Sequence, residues 1–354
     1  MSNTSRPDTS KSDAPGRSLP RRQALRITAT VGVSAVLGGG LLRAALERAG
    51  LHRVRQTRTQ MGTRVTISAV HPDAEAARMM VASTFDEIER LESLLSRHRV
   101  GTPVWSLNET GVVRAPPREL LEVVRKGIDY WALTAGAFDM TIAPLLNLYY
   151  SSFAETGVAP PREEIQRALA LVGSEHVRVS DGEIAFEKAG MAVTLDGTAK
   201  GYIVDRAVEV LRKRGAERVL VNAGGDMASA GEALGGDAWR IALQDPRAPG
   251  GNLGVVRLQG ESVATSGDYM QFLTPDMSLH HILDPRTGLS PEHTSGVSVV
   301  APSAMAADAL STATLVLGPG EGMELLDRLD GIEGMIITKD QTVLRSRGLG
   351  RYTA

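Results

Sequence analysis

The sequence predicts an α+β fold with a mostly antiparallel sheet. Three observations carry this. Strand-like segments follow one another between residues 219 and 300 with no helical block among them. A hairpin is written out at His176–Glu187, where HVRVS and EIAFE flank Asp181-Gly182, a pair suited to a tight two-residue turn. Helical periodicity falls in a few long blocks and does not alternate strictly with strands, as a parallel sheet would need.

The elements follow in order. Arg64–Val70 (RVTISAV) alternates like a strand, and Ala74–Leu95 places Ala76, Met79, Met80, Phe85, Ile88, Leu91 and Leu95 at helical spacing. Pro117–Trp131, behind Pro116-Pro117, and Glu163–Val172 are further amphipathic helices. Thr198–Arg214 is a helix leading into a strand at Val219–Asn222. Strands are expected at Trp239–Leu243, Gly254–Leu258, Ser262–Thr265, His280–Leu283 and Gly296–Val300. Helices at Ser303–Leu317 and Glu321–Leu329 precede a closing strand pair, Met335–Thr338 and Thr342–Arg345.

With 354 residues, 42% apolar and 23% charged, the chain has enough apolar mass for a sizeable core. Residues 1–50 hold 8 basic and 3 acidic side chains, and the rest hold 31 and 38, so the body is mildly acidic. That argues against nucleic acid as a partner, which needs a basic face. Aromatic residues at 4% also disfavour stacking on single-stranded bases. The absence of cysteine excludes disulfides, Fe–S clusters, thiolate zinc sites, cysteine nucleophiles and an acylated lipoprotein cysteine.

Residues 1–20 have the Ser-, Pro-, Asp- and Lys-rich composition of a disordered segment. Arg21 and Arg22 then precede an apolar, small-residue run from Ile27 to Leu42. As a helix it would span about 24 Å, short of a bilayer core of about 30 Å. It fits the apolar region of a signal peptide and resembles a twin-arginine signal. The expectation is a leader over 1–50, one domain over 51–354, and a periplasmic location. No clean A-x-A site marks cleavage, so a retained inner-membrane anchor stays open. Export in folded form, often with cofactor bound, hints at a cofactor-handling protein.

Several Gly-rich segments could carry chemistry. Thr194–Asp205 (TLDGTAKGYIVD) opens a helix with a Gly-containing turn. Free N–H groups and Lys200 there suit an anion, although a plain helix entry reads the same. In NAGGDMASAG (Asn222–Gly231) the paired glycines allow close approach of a ligand, or simply a hairpin turn or bulge. His280 and His281 are consecutive, so in extended chain only one of them faces a site. Asp284–Gly288 reads as a turn with Arg286 bracing Asp284.

The Ser303–Leu317 helix carries one charge, Asp308. With Ser303 as N-cap, Asp308 lies past the first turn, so neither capping nor the helix dipole accounts for it. It shares a face with Ser311 and Thr312. A buried carboxylate is paired, protonated or metal-bound. The residues alone leave a salt bridge and an oxygen-ligand site for Mg²⁺ both open.

Taken in order, MGT, SRHR…LN (Ser96–Asn108), TAGAFDMTIAPL (Thr134–Leu145), GTAKGYIVD, VNAGGD, ATSGDY, HHILDPRTG and ADALSTA resemble the ApbE family of FAD:protein FMN transferases. The resemblance spans roughly Thr59 to Gly318. It implies a T-fold-related, two-lobed α+β domain with FAD in a cleft between the lobes. It also implies cleavage of the FAD pyrophosphate with Mg²⁺, transfer of FMN to a Ser or Thr hydroxyl of a target protein, and release of AMP. Asp308 and Thr312, with a carbonyl near Gly197, match the metal ligands. Met61, His98, Ala137, Phe138, Asp139, Asp196, Lys200, His281 and Ile282 match FAD-contacting positions. His281, with Asp308, takes the catalytic part, as base or orienting group for the incoming hydroxyl.

Two positions depart from the family pattern. Thr194 stands where many relatives have an acid, with Asp196 placed to take over, and His98 stands where many have Tyr. Exported relatives, NosX-like ones included, serve membrane-associated electron-transfer proteins, so the implied acceptor is such a flavoprotein with an exposed Thr or Ser. Two other functions fit the same motifs: an FAD pyrophosphatase releasing FMN and AMP to water, and a non-catalytic flavin-binding maturation factor.

Overall fold

The computed structural model describes residues 50–233, 237–248 and 250–353. The twin-arginine-like segment lies outside them. Among the described residues no helix is long and apolar enough to cross a membrane.

Eight antiparallel strands form the main sheet. Their order is β1 (His52–Gln60), β2 (Thr63–His71), β6 (Arg218–Ala223), β7 (Asp226–Ala230), β10 (Ser262–Gly267), β11 (Thr294–Ala301), β12 (Glu333–Thr338) and β13 (Val343–Arg345). Helices α1 (Ala74–Leu95), α6 (Ala199–Lys213) and α7 (Ala304–Arg328) cover one face. Val65, Ile67, Val219, Val221, Val297 and Val299 point into that helical layer. The hairpin β8 (Trp239–Gln244)–β9 (Asn252–Leu258) covers part of the other face, against Met227, Val263, Val300 and Ile337. Burial on both faces explains why β11, TSGVSVVA, is buried along its whole length.

A smaller part holds a three-stranded sheet, β3 (Val112–Arg114), β5 (Glu183–Phe186) and β4 (Val177–Val179). With it come α2 (Pro103–Thr110), α3 (Arg118–Leu133), α4 (Ala143–Thr156) and α5 (Arg162–Leu169). It packs on the larger part through a common core that includes Leu107, Leu120, Phe138 and Ile184.

Local chemistry sets the boundaries. Asp73 caps α1 by accepting the Glu75 and Ala76 N–H groups at 2.8 and 3.1 Å. Ser303 caps α7 as expected, accepting from Ala306 N at 3.2 Å, and Asp205 takes the next two free donors, Ala304 N and Met305 N. The two helices expected over 303–329 share one run broken at Gly318 (φ 78°, ψ −175°), where Pro319 starts the second segment.

The expected strand at His280–Leu283 is not one. His280 forms a single bridge with Phe272, and the chain leaves the extended pairing at once. The alternation argument still holds there, because His280 is fully buried and His281 half-buried. Strands β1, β3 and β7 and helices α2 and α4 are additions to the sequence-based elements. β1 and β7 are rich in Arg, Ser and Ala, so their strand pattern is weak, and their partners β2 and β6 hold them in place.

Candidate active site

Two hairpin turns meet at one end of the main sheet. Met61-Gly62 joins β1 to β2, and Gly224-Gly225 joins β6 to β7. Both residues of each turn have positive φ, 52° and 67° in the first and 63° and 113° in the second. For Met61 that is a strained backbone, anchored by its N–H donating to Glu92 Oε2 at 2.9 Å. A Cβ on Gly224 would sit 2.5 Å from Thr63 Oγ1, so the two turns touch.

Asp226 follows the second turn and is 1% exposed. Its Oδ2 lies 2.8 Å from Lys200 Nζ, in the first turn of α6. That end of α6 runs against α7. A Cβ on Gly201 would come within 2.4 Å of Ala304 O and 2.6 Å of Met305 Cα, so only glycine lets the helices approach this closely. The approach lets Gly201 N–H donate to Asp308 Oδ2 at 3.2 Å. Asp308, Lys200 and Asp226 therefore form one buried cluster.

Its electrostatics are unbalanced. Desolvation, and then repulsion from Asp226, push the Asp308 carboxyl well above its usual range, with Lys200 pulling the other way. Asp226 is raised by desolvation too, while Lys200 lowers it. Desolvation opposes the charge on Lys200, but Asp226 and Asp308 outweigh it and raise its pKa. Two buried acids face one ammonium, which is an environment that favours added positive charge.

The remaining oxygen donors stand beside Asp308. Ser311 Oγ donates to Asp308 O at 3.0 Å, and Ser266 Oγ bonds Ser311 Oγ at 2.8 Å and Thr312 Oγ1 at 3.1 Å. Thr312 Oγ1 lies 3.7 Å from where a Cβ on Gly197 would sit, and the Phe138 ring 3.1 Å. Gly197, Asp308 and Thr312 thus lie near one another. Their hard oxygens, next to two buried acids that share one ammonium, fit Mg²⁺. No three His, Asp or Glu side chains gather as a cage among the described residues.

His281, in the 265–291 segment, lies within electrostatic reach of Lys200 and Asp196. Its N–H and its Nδ1 both approach Gln271 O, at 2.9 and 3.1 Å. A carbonyl only accepts, so Nδ1 carries the proton and Nε2 keeps its lone pair. Desolvation lowers the imidazole pKa to about 4, and the positive charge of Lys200 adds to the effect, so the ring is neutral at pH 7. The segment is fixed by buried Asp268, which pairs with both Arg247 guanidinium nitrogens (2.8 and 2.7 Å) and with Lys339. Arg286 braces Asp284 through two bonds of 2.9 Å.

Asp196 marks the mouth, 57% exposed, with Arg97 Nε at 3.3 Å and His98 Nε2 at 3.4 Å. Desolvation opposes its charge, but the His98 hydrogen bond and the Arg97 charge hold its carboxyl below the usual range. Thr194 Oγ1 accepts from Asp196 N at 3.2 Å, so Thr194 shapes the turn while Asp196 supplies the charge. Asp139 is buried beside the site. Its buried carboxylate is used up by Thr141 N and Oγ1 and Ser174 N and Oγ, which makes it a structural tie between loops. Ala137 and Ile282 are likewise core residues, with Ile282 next in the chain to His281. Two open surface depressions, of about 490 and 710 Å³, beside α6 and on α3, share none of these residues.

Asp226 was not singled out as a site residue. The signal was present, since it is the only charge among small residues in NAGGDMASAG, the same pattern that marks Asp308.

The sequence model of the ApbE family matches residues 61–336. The chain belongs to the ApbE family. It is 29% identical over 290 residues to the FAD:protein FMN transferase of Salmonella typhimurium, covering 79% of this chain and 83% of that one. It is 28% identical over 326 residues to that of Treponema pallidum, covering 85% and 89%. Among solved structures it is similar to the ApbE protein of Thermotoga maritima, with TM-score 0.78, 28% identity and coverage of 86% and 100%. The flavin transferase ApbE of Vibrio cholerae gives TM-score 0.74, 27% identity and coverage of 85% and 99%. The ApbE match takes in every predicted site residue, from Met61 to Thr312.

Proposed function

We propose that this protein transfers FMN from FAD to a hydroxyl group of another protein and releases AMP. The observation that carries the reading is the single cluster of Lys200, Asp226, Asp308, Thr312 and Gly197 with His281 at its edge. Electrostatic coupling of His281 to Lys200 and Asp196 supports the same grouping.

Each group has a chemical role. Lys200 and the N–H groups opening α6 would hold the pyrophosphate. Asp308, Thr312 and the Gly197 carbonyl would hold Mg²⁺, which neutralises charge on the phosphates. His281 Nε2 would take the proton of the incoming hydroxyl as its oxygen bonds the FMN phosphorus. The bond from that phosphorus to the bridging oxygen breaks, and AMP departs with the electron pair. The acceptor is a Ser or Thr of an electron-transfer flavoprotein at a membrane, met outside the cytoplasm if the leader directs export.

The test is to mix the protein with FAD, Mg²⁺ and candidate acceptor domains, then read flavin fluorescence in denatured bands and AMP in solution. Label and AMP in equal amounts support the reading. AMP without label in any acceptor would mark a pyrophosphatase. Flavin binding indifferent to EDTA, with neither product, would mark a maturation factor.

A further inference from the structure

The segment that carries His281 has an unused edge. Leu273 N–H donates to Leu279 O at 2.7 Å, and His281 N–H donates to Gln271 O at 2.9 Å. Phe272, lying between these bonds, faces His280 as a non-hydrogen-bonded pair. Its own N–H and C=O therefore point away from His280, and they meet no partner among the described residues. Its side chain is 52% exposed, although a Phe ring is normally buried. Through the adjacent Gln271, Tyr150 joins the same segment: it is 36% exposed, and its hydroxyl donates to Gln271 Oε1 at 3.3 Å. Gln271 is thus shared: its carbonyl holds the imidazole of His281 and its side chain holds Tyr150.

We propose that Phe272 and Tyr150 form the seat for the acceptor protein, which lies extended along the free backbone edge at Phe272 with its hydroxyl toward His281 Nε2. An unpaired edge recruits an extended segment through main-chain bonds, and neighbouring aromatic side chains give it apolar contact. The inference rests on the transferase reading above, because only a protein acceptor needs such a seat. A pyrophosphatase acting on water would leave both exposed rings without a partner.

The probe is a set of twelve-residue peptides, each with one central Thr and varied flanks, incubated with FAD and Mg²⁺ and scored for attached flavin. Phe272→Ser and Tyr150→Ser are compared with wild type, and with Met79→Ser on the outer face of α1, a residue 60% exposed. The seat predicts a rise in peptide KM of at least about tenfold in both seat variants. FAD affinity and acceptor-free AMP release stay within about twofold, and Met79→Ser behaves as wild type. Unchanged peptide KM, a parallel loss of FAD affinity, or an equal loss in Met79→Ser overturns it. A wild type that labels acceptor domains but no peptide overturns the extended docking and leaves the transferase reading standing. A wild type that labels neither removes both.

Discussion

Lys200 Nζ lies 2.8 Å from Asp226 Oδ2 and is the cation that faces two buried carboxyls, Asp226 and Asp308. Lys200→Met leaves that acid pair uncompensated. Breaking a buried pair costs about 3–5 kcal/mol, and the partial exposure of Lys200 places the loss near the lower value. Both acids then have folded pKa values raised above their unfolded ones, so stability falls as pH rises through the raised values. Urea denaturation should show a larger deficit at pH 8 than at pH 5. An equal deficit at both would mean that the pair does not carry the charge assigned to it.

Gly201 is the contact point between α6 and α7. Gly201→Ala drives a Cβ into backbone atoms of Ala304 and Met305, which cannot rotate away. The expected cost is about 1–3 kcal/mol. It comes with a fall in kcat, because the Gly201 N–H that Asp308 accepts is displaced. Thermal unfolding and turnover measured together check this; wild-type values of both would refute the close approach.

As the proposed base, His281 is expected to set the pH dependence of transfer. Its pKa is lowered to about 4, so the neutral, proton-accepting form prevails from about pH 5 upward. The acid limb of kcat/KM in the free enzyme should fall near pH 4, and not near the ordinary histidine value of about 6.5. His281→Asn should lower transfer by about 10²–10⁴-fold with FAD affinity kept. A limb near 6.5 would show that the imidazole is not desolvated as the structure has it.

Much of this was legible in the sequence, for identifiable reasons. The long helices α1 and α6, the hairpin at Asp181-Gly182 and strands β8 to β12 carry strong local patterns that tertiary packing reinforces. Asp308 was legible because a lone charge in an apolar helix demands an explanation. The four internal donors that Asp139 accepts from were not legible, because a carboxylate in a Gly-rich segment looks the same whether it meets a ligand or its own chain. Asp226 carried the same lone-charge signal, but its role depends on Lys200 on another element, and the Phe272 edge depends on a single local bridge to His280 that no side-chain pattern marks.

The central claim is that Asp308 serves chemistry and not folding. Asp308→Ala in the full chain, with FAD binding followed by fluorescence, Mg²⁺ binding by calorimetry and FMN transfer by in-gel fluorescence, tests it most directly. The account predicts a folded protein that binds FAD, loses its Mg²⁺ heat and attaches no flavin. Transfer within about tenfold of wild type, or Mg²⁺ binding unchanged, would contradict it.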